Sequence, residues 1–102
     1  MGKATKKEMR LLKDILDEHA TADSRLIEEY FEHFVNYFQK IFYKQIDEDS
    51  IADVVLNSLF DFAKNKAQKY NPQQSSLIKY LENDIRGDIK NFLKKKSSKL
   101  SN

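Results

Sequence analysis

Arg86, Lys90 and Lys94 recur every four residues near the end of the sequence. On a helix that spacing places the three cations along one line. Lys79, Lys95 and Lys96 add to the same field. A basic line on one helix is the electrostatic footprint of a surface that meets phosphate. Two tyrosines bracket the turn ahead of it, Tyr70 before and Tyr80 after. Aromatic rings beside a basic surface stack on unpaired bases, at about 1–3 kcal/mol per base. Asn71, Gln73 and Gln74 lie in that turn and offer amide donors and acceptors to base edges. The stretch from Tyr70 to Lys96 thus reads as a single-strand platform, with stacking at one end and phosphate contacts along the other. The same spacing describes a solvated helix face with Tyr80 half-buried in a core. The residues themselves leave both readings open.

Catalytic chemistry is poorly supplied. The two histidines, His19 and His33, fall on different predicted helices, and there is no cysteine to support them. Glu29 and Glu32 flank His33, but metal-ligand spacing is missing, so an ordinary exposed histidine is the expectation. No glycine-rich phosphate loop is present. The carboxylates fall mostly on polar helix faces, where they serve solubility. Neither an enzyme nor a cofactor is expected.

The elements that must position these residues are helices. Two glycines and one proline in 102 residues are too few for the many turns of an all-β domain. The expected fold is all-α, a compact bundle of about four helices in one small domain. The first helix is predicted over Lys6 to His19, with Thr5 and Glu8 at capping-box spacing and Met9, Leu12, Ile15 and Leu16 inward. The second is predicted over Ser24 to Gln45, capped by Asp23, with Leu26, Ile27, Tyr30, Phe31, Phe34, Val35, Phe38, Ile41 and Phe42 inward. Seven of the twelve aromatics lie between Tyr30 and Tyr43, which makes this helix the centre of the core. Ser50 and Asp53 suggest a capping box for a third helix running to Lys69, with Ile51, Val54, Val55, Leu59, Phe62 and Ala63 inward. Asn71-Pro72 stops it. Ser75 or Ser76 caps a fourth helix, with Leu77, Leu81, Ile85, Ile89 and Leu93 inward. Gly87 interrupts its middle at about 1 kcal/mol relative to alanine, marking a bend or a close partner contact.

Net charge is +2, unevenly distributed: +4 over residues 1–13, −9 over 14–63 and +7 over 64–102. Such asymmetry suits two partner surfaces of opposite preference. No apolar run approaches the roughly 20 residues of a membrane span. No signal-peptide stretch follows the basic N-terminus. A soluble, cytoplasmic protein is expected. The chain divides into an N-terminal helix and connector (1–22), a helical domain (23–96), and a tail or linker start (97–102).

Asp53-Val54-Val55, Tyr70-Asn71-Pro72, Tyr80-Leu81, Arg86 and Lys90-Asn91-Phe92-Leu93-Lys94-Lys95 follow one another along the chain. In that order they resemble region two of the sigma-70 family of bacterial transcription initiation factors, especially the extracytoplasmic-function type. The similarity covers about Leu26 to Lys96. It differs from the usual pattern in Tyr80 for tryptophan, Asn91 for aspartate, Leu56-Asn57 for Gln-Glu, and Lys94-Lys95 for a pair of arginines.

The resemblance implies partners and roles. The third helix would dock on the clamp helices of the β′ subunit of core RNA polymerase through Asp53, Leu56, Asn57, Asp61 and Lys64. Tyr70, Asn71, Gln73 and Gln74 would hold an extruded base of the −10 promoter element. Tyr80 would stand beside the melting strand. Lys79, Arg86, Lys90, Lys94 and Lys95 would hold the backbone of the non-template single strand. An anti-sigma factor is a further implied partner. Family members normally continue into a domain that reads the −35 element. A second reading is a helical interaction or oligomerisation module without a DNA role, carried by Tyr37 and Tyr43, which fall off the main stripe of the second helix.

Overall fold

Thr5 opens the first helix as its spacing predicts. The computed structural model describes residues 5–17 and 22–101, with side chains over 5–17 and 24–95. Helix α1 is Lys6–Leu16. The Thr5 hydroxyl accepts from the Glu8 amide at 3.2 Å, and the Glu8 carboxylate accepts from the Thr5 amide at 2.8 Å. Two orphan donors are satisfied reciprocally. The inward face is Glu8, Leu11, Leu12 and Ile15, spaced i, i+3, i+4, i+7. Met9 and Leu16, expected inward, are 40% and 42% exposed. The reason is long-range: Glu8 turns inward because its second oxygen accepts from the Ile78 amide, 3.1 Å away on another helix.

Helix α2 is Ala22–Phe42, two residues earlier than expected, so Asp23 lies inside it rather than at its cap. Its apolar stripe behaves as predicted for Leu26, Tyr30, Phe34, Val35, Phe38 and Phe42, all buried. Tyr30, Phe34, Phe38 and Phe42 form an i, i+4 ladder with centroid spacings of 6.2, 6.0 and 6.3 Å. Ile41, expected inward, is exposed. An Arg25–Asp14 ion pair at 2.7 Å and a Lys7–Glu29 pair join α1 to α2.

Helix α3 is Glu48–Asp61. Its cap is Asp47, three residues before the expected Ser50. Asp47 accepts from both the amide and the hydroxyl of Ser50, at 3.0 and 2.8 Å. A carboxylate is the stronger cap because it also meets the positive end of the helix dipole. Ile51, Val55 and Leu59 are buried, with Ser58 among them. The helix was expected to reach Lys69. It ends at Asp61 in a π turn, Phe62–Lys66, where the Ala67 amide donates to the Phe62 carbonyl at 2.8 Å. The wider turn keeps Phe62 inward while bringing Lys66 against the next helix.

Helix α4 is Leu77–Ser101, so the segment expected as a tail continues the helix. The Ser76 hydroxyl caps it, accepting from the Lys79 amide at 3.2 Å. Leu77, Leu81, Ile85 and Ile89 are fully buried, and Leu93 is half-buried. The described residues form an all-α bundle of four helices without strands. Helix α3 packs against both α2 and α4, and α1 packs on α2. One cluster of buried side chains draws on all four helices.

Candidate nucleic-acid and protein interface

The turn between α3 and α4 is built around three rings. Tyr70 is buried, and its hydroxyl donates to the Ser75 carbonyl at 2.6 Å. Its ring lies 5.0 Å from Tyr80 and 6.0 Å from Phe62, while Phe62 and Tyr80 are 5.6 Å apart. Edge-on and tilted contacts of this kind add to simple burial. Burial, helped by the Glu8 charge, pushes the Tyr70 hydroxyl from its ordinary 10.0 up to about 12. Tyr70 therefore cannot stack on a base, contrary to the expectation for it. Its ring supports the turn from behind. Tyr80 is half-buried against this cluster and remains reachable from solvent. Asn71, Gln73 and Gln74 are exposed on the turn. The Asn71 side-chain oxygen accepts from the Gln73 amide at 2.9 Å, and its backbone carbonyl accepts from the Gln74 amide at 3.1 Å. That pattern is an Asx turn, which orders the loop and leaves the two glutamine amides facing water.

The outer face of α4 departs from its expected line at one residue. Arg86 leans toward α2, where its guanidinium donates to the Tyr37 hydroxyl at 3.0 Å, and it pairs with Glu82 at 3.1 Å. Its Nε is buried without a hydrogen-bond partner. Arg86 is thus a link between helices, held through one guanidinium nitrogen by Tyr37 of α2 and Glu82 of α4. Lys79 lies 3.9 Å from the same Glu82. Lys90, Lys94 and Lys95 are exposed and form no ion pair among the described residues. The Lys96 side chain lies outside the described residues. Asn83, Gly87 and Asn91 are exposed on the same side of α4.

The outer face of α3 carries Asp53, Asn57 and Phe60, all exposed, at i, i+4 and i+7, and the π turn that follows carries the exposed Lys64. Leu56 and Asp61 are half-buried at its edges. The Asn65 amide donates to Asp61 at 2.7 Å, and Lys66 sits 3.4 Å from it. The Asn65 bond first, and then Lys66, hold the Asp61 carboxyl below the usual carboxylate range. Phe60, 38% exposed, was missed in the sequence. Its signal was its place three residues after Asn57, outside the inward stripe.

A polar seam joins α3 to α4. Ser58 donates to Asp88 at 2.5 Å, and Lys66 donates to Asp84 at 2.6 Å. The bond to Asp84 holds the Lys66 ammonium above its ordinary value. Burial outweighs Lys66 at Asp84 and pushes that carboxyl up. Beside the seam runs a groove of about 380 Å³ whose walls include Asn57 and Asp61 from α3 and Asn91, Phe92 and Lys95 from α4. Two residues expected to meet a protein, Asn57 and Asp61, and one expected to meet DNA, Lys95, therefore line one groove, together with the Asp88 carboxylate.

His33 stacks on Tyr37 with ring centroids 6.4 Å apart and planes 10° apart. His19 lies outside the described residues. No group of three potential metal ligands occurs among the described residues, and none of their helices is long and apolar enough to cross a membrane. Compared with protein-family models, with curated proteins and with solved structures, the chain finds no match in any of the three.

Proposed function

We propose that this chain is a sigma-type transcription initiation module that binds core RNA polymerase and opens promoter DNA at the −10 element, working in the cytoplasm. The mechanism is non-covalent. The outer face of α3, Asp53, Asn57 and Phe60, with Lys64 of the following π turn, docks on the clamp helices of the β′ subunit. Lys90, Lys94 and Lys95 then hold the backbone of the non-template strand. Tyr80 flanks the strand as it melts, and the Asn71–Gln74 turn receives the extruded base. Extrusion costs a few kcal/mol, which stacking and a fitted turn offset. Docking supplies the effective concentration that weak DNA contacts need. The observation that carries this reading is the groove where Asn57 and Asp61 of α3 face Asn91 and Lys95 of α4.

Purified chain is expected to capture bacterial core polymerase at low salt, and an Asp53→Arg/Asn57→Arg version is expected to fail. Absence of capture by the wild type defeats the proposal. The second reading, an oligomerisation module, rests on Ile41 and Tyr43, 47% and 64% exposed at the end of α2. A concentration-dependent dimer in sedimentation, abolished by Tyr43→Asp, would favour it.

A further inference from the structure

Gly87 works against the fold that contains it. It sits in the middle of a 25-residue helix, where alanine is the better residue. A β-carbon placed on it would meet nothing within 4 Å, so no neighbour inside the molecule requires the missing side chain. Its backbone does not lie in the left-handed region that favours glycine. Neither a left-handed turn nor close packing inside the molecule accounts for it. What remains is the outside.

The surroundings are specific. Asn83, Lys90 and Asn91 lie four residues before, three after and four after Gly87, so they are its neighbours on the helix surface. Lys94 continues the same side. All four are exposed, and none is acidic. Asn83, Lys90 and Asn91 thus flank a spot where the helix backbone lies bare, with Lys94 one turn further on and the fourth neighbour, Asp84, half-buried. Asp84 and Asp88, the nearest carboxylates on α4, are turned to the seam and bonded to Lys66 and Ser58.

We infer that Gly87 is the point of closest approach for a phosphodiester backbone, which settles on the bare turn of α4 while Asn83, Lys90, Asn91 and Lys94 donate to its oxygens. This rests on the nucleic-acid half of the function proposed above and adds residues to it. A phosphate is wider than a single ammonium can surround. Removing one methyl from the middle of this face lets it sink between the donors instead of resting on their tips. Charge selects the occupant, since an acceptor-rich, anionic chain complements the two ammonium groups, and each asparagine can turn its NH2 toward a phosphate oxygen.

The test uses Gly87→Ala in the full chain, with an oligothymidylate single strand as the probe. Thermal unfolding is expected to shift up by about 4–8 °C, as for any exposed helical glycine replaced by alanine. Affinity for the strand is expected to fall by about tenfold, and further in Gly87→Leu. Opposite movement of stability and affinity is the signature, since a purely structural glycine moves only the first. Unchanged affinity in both variants, alongside loss of binding in Lys90→Glu/Lys94→Glu, overturns the Gly87 assignment and leaves the DNA reading standing. No binding by the wild type overturns both.

Discussion

The turn at Tyr70–Ser76 and the outer face of α4 from Asn83 to Lys95 belong to one continuous stretch, yet they treat their polar groups in opposite ways. In the turn the groups that shape it are engaged within the molecule, while the Gln73 and Gln74 side chains are exposed. The Tyr70 hydroxyl, the Asn71 oxygens and the Ser76 hydroxyl all have partners, and three rings close on one another. On the outer face Lys90, Lys94 and Lys95 make no ion pair among the described residues, and Gly87 weakens the helix. The difference teaches where a partner is needed. Groups that complete the fold explain themselves, whereas groups that contribute nothing to it, or oppose it, call for something outside.

The sharpest way to break this contrast is Phe62→Ala. Phe62 is fully buried and holds the Tyr70 and Tyr80 rings. Its loss is expected to destabilise the chain by about 3–5 kcal/mol in denaturant unfolding. A loss under 1 kcal/mol would show that the turn is not built on this cluster.

Tyr70→Phe is the intermediate case. It removes one hydrogen bond, worth about 1 kcal/mol net. It also removes a proton. Because the folded value is raised, the stability due to protonated Tyr70 is whole below the ordinary 10.0 and is lost as pH rises through about 12. The wild type is therefore expected to lose more stability across that window than Tyr70→Phe, measured as thermal midpoint against pH. Tyr30 is raised in the same direction by burial, so the variant keeps part of the alkaline loss. Parallel profiles would mean that Tyr70 is open to solvent.

The smallest stability effect is expected from Lys90→Glu with Lys94→Glu, within about 0.5 kcal/mol of the wild type, since both are exposed and form no ion pair among the described residues. The same pair is expected to flatten the dependence of DNA binding on salt. Large destabilisation, or an unchanged salt slope, would erase the distinction between the two regions.

Most of the fold was readable because it depends on short spacing. The i, i+4 ladder of Tyr30, Phe34, Phe38 and Phe42, the Thr5–Glu8 box and the inward line Leu77, Leu81, Ile85, Ile89 need only neighbours along one helix. The misread residues answer to distant ones. Glu8 turns inward for an amide 70 residues away. Arg86 leaves the basic line for a hydroxyl 49 residues away. Tyr70 is the nearer case, its ring packed on Phe62 and Tyr80 and its hydroxyl bonded to the Ser75 carbonyl five residues on. The cap of α3 was misplaced for a local reason, since Asp47 and Ser50 are both competent caps and only geometry chooses. The π turn has no spacing signature of its own. Phe60 was overlooked because an exposed aromatic reads, in sequence, like any other apolar residue.

Glu8 ties two helix beginnings with one side chain, accepting from Thr5 at the start of α1 and from Ile78 at the start of α4. The Ile78 amide can trade its hydrogen for deuterium only when that carboxylate withdraws, and the carboxylate withdraws when α1 lifts from the bundle. The exchange rate of one amide in the first turn of α4 is thus a clock for the opening of α1, a helix that begins 72 positions earlier in the chain. The N-terminal end of the molecule can be watched from the element that carries its lysines.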